Sequence, residues 1–226
     1  MKTLVIATLL LLANMAAAQD DSEYRMEIGG GVGLVAYQGD FNGSILKGMQ
    51  PMATLTARYK PSPRTAWAFN LGFGKLKGDY DHSDNFYPEL AESRLNFSNM
   101  LVDGGIRFEY NFWPFGTGND YRGAKRLVPF IAVGIGMSFA DTDNGSAVGA
   151  NLPIGGGVKY KVAKRVNLTA EWTMHFSTTD KLDGVADPYG IKSSGMFKNK
   201  DCYSMLLVGL TYDIWAKCRT CHNDDD

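Results

Sequence analysis

Residues 152–185 read LPIGGGVKYKVAKRVNLTAEWTMHFSTTDKLDGV. Every second residue of the first half is apolar: Ile154, Val158, Tyr160 and Val162, with Gly155, Gly157, Lys159 and Lys161 between them. Ala163-Lys164-Arg165 then reverses the chain. Val166, Leu168, Ala170, Trp172, Met174 and Phe176 follow, alternating with Asn167, Thr169, Glu171, Thr173, His175 and Ser177. Period two over this length predicts two β-strands, each with one apolar face. Strands this long, repeated along a chain, suit a membrane wall in which the apolar face meets lipid and the polar face lines a lumen.

The amino terminus fits that setting. Met1–Ala18 has a charged start at Lys2, an apolar run at Leu4–Leu12 and small residues at Ala16–Ala18. This is the pattern of a secretory signal peptide, too short to span a bilayer as a helix. Residues 19–226 are expected to form one domain, an outer-membrane β-barrel with a short periplasmic C-terminal tail. The net charge of -1 excludes a broadly basic nucleic-acid binder. The 26 glycines and 12 % aromatic content suit crowded strands.

Alternation marks eight strands: Tyr24–Gly39, Met52–Lys60, Thr65–Lys77, Leu95–Trp113, Val128–Ala140, the two of the hairpin above, and Cys202–Trp215. The expected fold is all-β, an eight-stranded antiparallel transmembrane β-barrel. The connections at 61–64 and 163–165 are tight, whereas 40–51, 78–94, 141–148 and 179–201 are polar and mostly long. Short turns face the periplasm in such barrels, which places both termini there. Pro114–Leu127 breaks the rule, being long where a short turn is expected.

Inward parity gathers Glu27, Arg58, Asp103, Arg107, Glu109, Lys159, Lys161, Glu171, His175 and Asp213. Eight strands enclose room only for side chains. A closed, salt-bridged polar core is therefore expected rather than a channel. His175, near Ser177 and Asp180, is the one candidate base for a nucleophile, but nothing in the spacing fixes a third group, and a packed polar histidine is the preferred reading. No catalytic residue is expected.

Cys218-Arg219-Thr220-Cys221-His222 spells a haem-attachment motif. It lies at the end of the chain, without a folded pocket to shield haem. A local disulfide or an exposed redox pair is expected instead, and zinc lacks an evident fourth ligand. No cofactor and no metal are expected. Lys60, Arg64, Arg122, Lys125, Arg126, Lys164, Arg165, Lys217 and Arg219 collect at the periplasmic rim, where they could dock an acidic partner or simply be solvated. Phe115, Tyr121, Arg122, Lys125 and Arg126, joined on that side by Cys218 and Cys221, form the candidate partner-binding set, because cations and aromatics together favour interfaces.

The chain resembles the PorG-like outer-membrane barrels of the Bacteroidetes type IX secretion system. The residues that carry the resemblance are Ser62-Pro63-Arg64, LNFSNMLVDGGIRFEYNFWPF (95–115), PFIAVGIG (129–136), PIGGGVKYKVAKRVNLTAEW (153–172), TDKLDGV (179–185) and YDIWAKCRTC (212–221). The resemblance implies a non-enzymatic barrel of the protein secretion machinery. Its partners would be outer-membrane lipid and, on the periplasmic side, the lipoprotein-containing ring complex, with no nucleic acid. A stand-alone structural or adhesive barrel acting through its extracellular loops is the alternative.

Overall fold

The computed structural model describes residues 24–38, 48–79, 96–117, 124–142, 145–179 and 202–216. The expected signal peptide, Tyr121, Arg122, Asp180, Cys218 and Cys221 lie outside them. Eight strands follow one another: β1 Tyr24–Gln38, β2 Gln50–Tyr59, β3 Thr65–Asp79, β4 Asn96–Asn111, β5 Leu127–Thr142, β6 Gly145–Lys161, β7 Val166–Ser177 and β8 Cys202–Ala216. Each pairs antiparallel with the next, and β8 returns to β1, closing the barrel. A closed wall satisfies every ladder hydrogen bond and leaves no sheet edge, as a strand structure in lipid requires.

The expected 141–148 loop is mostly strand. Ala147 stays inward and buried while Val148 stays outward, so alternation continues and Thr142 pairs directly with Gly145. The tight reversals occur where expected. At 61–65 the Ser62 carbonyl accepts the Thr65 N–H; at 162–166 Val162 and Val166 pair across the turn.

The outer wall is apolar. Ile135 and Val32, at 70% and 69% exposed, belong to a band that also presents Leu55, Phe69, Val133, Val208 and Leu210. In water so continuous an apolar surface would drive aggregation, whereas lipid accommodates it.

The seam between β1 and β8 is close, as are β4–β5 at Gly134 and β6–β7 at Gly155 and Gly157. A side chain at Gly29 would place its Cβ 2.0 Å from the Leu210 carbonyl oxygen, and one at Gly33 would lie 2.0 Å from that of Leu206. Only hydrogen fits at these two inward positions.

Candidate functional site

The interior divides into two halves. Toward the long-loop end, Val35, Tyr37, Met52, Leu76, Leu101, Ala140, Ala147, Tyr203, Met205 and Leu207 form one apolar cluster. This half was not legible as a plug, because the expected lumen was polar throughout. Toward the tight-turn end the interior is charged. Glu27, Asp103, Glu109, Glu171 and Asp213 face Arg58, Lys60, Arg107, Lys159 and Lys161, all buried. Among the described residues, five acids thus meet five bases.

Glu109 sits at the centre of the network. Its Oε2 lies 2.7 Å from Arg58 Nε as an ion pair and accepts Lys159 Nζ at 2.6 Å, and its Oε1 lies 3.8 Å from Arg107 Nη2. Arg107 donates to both Glu171 oxygens, at 2.9 and 3.0 Å. Glu27 bonds Arg58, accepts Lys60 Nζ at 3.2 Å and accepts Asn167 Nδ2 at 2.8 Å. Asp213 takes Lys60 Nζ at 2.5 Å and pairs with Lys161. These residues come from six strands, so the network ties the wall together across its diameter.

Lys60 corrects the rim assignment. It follows Arg58 by two residues, so parity turns it inward, where it joins Glu27 to Asp213. Phe115 is corrected as well. It was expected on a docking surface, but it is only 8% exposed. Its N–H donates to the Pro63 carbonyl at 3.0 Å, and a parallel bridge links it to Lys125. The described parts of the connection after β4, 112–117 and 124–126, therefore pack against the 61–65 turn and each other. Lys161 Nζ lies 5.4 Å from the centre of the Tyr24 ring and 5.7 Å from that of Phe115. Two rings thus cap the charged half at its open end. Lys125 and Arg126 remain exposed; Lys125 Nζ sits 4.4 Å over the Trp113 ring, and Arg126 Nε donates to the Thr117 carbonyl.

Where the charged and apolar halves meet, Asp103 accepts Tyr203 Oη at 2.6 Å and Asn151 Nδ2 at 2.7 Å. Ser138 completes this group, 2.6 Å from Tyr203 Oη. The His175 ring stacks on Tyr203 with centroids 4.7 Å apart, and its Nε2 is 3.2 Å from Thr173 Oγ1. Ser177 accepts the Thr179 N–H instead of bonding His175. The histidine packs in the interior, with Thr173 rather than Ser177 as its hydroxyl neighbour and Asp103 3.7 Å from its Nδ1. The cavity beside it, lined by Asn70, Asp103, Arg107, Glu171 and His175 among others, measures about 20 Å³, room for roughly one water.

Three solved barrels are similar in fold. Neisserial surface protein A shares 13% identity at a TM-score of 0.51, covering 84% of this chain and 97% of its own. OprG from Pseudomonas aeruginosa shares 13% at 0.47, covering 88% and 99%. Ail, the attachment invasion locus protein of Yersinia pestis, shares 12% at 0.47, covering 85% and 100%. No curated protein matches the chain. The sequence does match the family described as outer membrane protein beta-barrel domain, over residues 5–202. A lipid-facing wall, a filled interior and that match agree: the chain belongs to the outer-membrane β-barrel family and resides in the outer membrane.

Proposed function

We propose that this barrel neither conducts nor catalyses, and that it works through its rims as an outer-membrane component of the type IX secretion machinery. The observation that carries the first part is the interior: balanced charges packed against one another, an apolar cluster above them and two aromatic rings below. In planar bilayers the purified protein should give no stable conductance steps; regular steps would sink the closed-interior reading.

The secretion role is supported by the family resemblance of the sequence and by the tight-turn rim, taken to face the periplasm. Arg64, Lys125, Arg126, Lys164 and Arg165 lie there, while Glu27 and Asp213, described acids nearby, are turned inward and bonded. A rim of one sign attracts an acidic partner and speeds its encounter. The ring lipoprotein complex is the partner this reading names, with Lys125 and Arg126 on the connection after β4 as its first contacts. Lys125→Glu with Arg126→Glu should leave heat-modifiable gel mobility intact. It should weaken co-isolation with the ring lipoproteins from solubilised envelopes, and raised salt should weaken the parent's association in the same way. Co-isolation equal to the parent would favour a stand-alone barrel acting through its loops.

A further inference from the structure

Across the barrel mouth from that connection, β1, β7 and β8 form a corner where three observations coincide. The first is a fixed cation. Arg165 places its guanidinium carbon 5.4 Å from the Tyr24 ring centre and its Nη1 3.4 Å from the Tyr212 hydroxyl. Its backbone carbonyl accepts the Asp213 N–H at 2.7 Å, which anchors the turn to β8. The hydroxyls of Tyr212 and then Tyr24 hold the guanidinium pKa above its ordinary value, and a guanidinium is charged at any physiological pH.

The second is a strained backbone. Trp215 has φ 59°, and among the described residues it is the only non-glycine with positive φ. Thr211 and Asp213 point inward, and strict alternation would send Trp215 the same way. Trp215 instead takes the left-handed conformation and is 62% exposed at the barrel mouth. Bulky side chains rarely adopt that region, and retained strain of this kind clusters where a side chain must be aimed.

The third is the pairing of charge with hydrocarbon. Lys164 and Arg165 are exposed and Arg25 is half-buried, while Asp213 is committed to Lys60 and Lys161. Directly along the wall from these cations stand exposed Tyr212 and Leu210, the start of the lipid-facing band. A ligand that satisfies the corner must carry an anion at one end and an acyl chain at the other.

We propose that this corner binds the phosphate of an anionic phospholipid, held by Arg165 and Lys164, with the Trp215 indole at the level of the glycerol. A guanidinium fork matches phosphate oxygens in pairs, and an indole is at home at the membrane interface. The contiguous apolar wall favours a lipid over an acidic peptide, which would leave Tyr212 and Leu210 without an occupant. The proposal rests on the reading that this rim faces the periplasm.

Native mass spectrometry of the full barrel, equilibrated in detergent with phosphatidylglycerol or phosphatidylcholine, tests this. The parent should retain phosphatidylglycerol in preference to phosphatidylcholine. Arg165→Gln should lower that retention about fivefold, the effect of one cation at a charged surface. Lys75→Gln, exposed on β3 toward the opposite end, should leave it unchanged. Trp215→Gly relieves the backbone, so the barrel should resist heating at least as well as the parent while holding less lipid. Parental retention by the Arg165→Gln protein, or equal retention of both lipids, overturns the proposal. Displacement by inorganic phosphate would assign the corner to a free anion, and displacement by a polyglutamate peptide to a protein partner; either result also overturns it.

Discussion

Glu109→Gln should lower the stability of the barrel by about 3–5 kcal/mol, the cost of stripping one partner from a buried ionic network. The side chain is fully buried and forms ion pairs with Arg58 and Lys159, with Arg107 nearby. Glutamine keeps the shape and removes the charge. Arg58 still reaches Glu27 and Arg107 still reaches Glu171, whereas Lys159 keeps only Asn111, at 3.1 Å, and the face of Phe130. The uncompensated ammonium is thus the main source of the loss. Lys159→Met added to Glu109→Gln should return part of it, because the orphaned charge is gone. Urea titration of tryptophan fluorescence in detergent micelles measures both proteins. A single variant as stable as the parent would show that the network adds nothing to folding.

The second large effect concerns the other face of the wall. Val133 lies outward between Ile131 and Ile135, opposite Phe108 on β4 and Ile154 on β6. Arginine there should cost ~2–4 kcal/mol, the penalty of a cation deep in the hydrocarbon. Leu127 has the same outward parity and similar exposure, but it begins β5 at the tight-turn end. Leu127→Arg should cost only ~0–1 kcal/mol, since its side chain reaches the head groups. Folding yields into lipid vesicles at graded urea separate the two. Equal yields would mean that depth does not matter and that the apolar band is not the membrane-facing surface.

Much of this was legible because a barrel writes its two faces into alternate letters. Arg58, Asp103, Arg107, Glu109, Lys159 and Glu171 could be placed inside from parity alone. Lys60 obeys the same rule, two residues past Arg58, but it stands at the strand's end, where a lysine reads equally well as a solvated rim residue. The apolar half of the interior was illegible for a different reason. Near the long-loop ends, Val35, Leu101 and Leu207 point inward beside apolar neighbours that point outward, so no contrast marks the faces. Phe115 escaped because its position depends on Pro63, far away in sequence, whose carbonyl it meets only once the barrel exists. Trp215 reads as an inward position by parity, and nothing in the sequence signals its left-handed backbone.

The close seam at Gly29 and Gly33 bears on the order in which the molecule assembles. Seven of the strand pairs join neighbours along the chain and can form as hairpins. The pairing of β1 with β8 joins the first strand to the last, so its loop-closure entropy is the largest and it forms late. Until then the protein is a curved sheet with two unpaired edges, each able to recruit a foreign strand. Glycine at 29 and 33 lets those edges meet without waiting for side chains to clear, which shortens the life of the vulnerable intermediate. A methyl group at either position would hold the two edges apart at the moment of joining, and the harm would fall on the rate of maturation, with the open sheet left to aggregation or proteolysis.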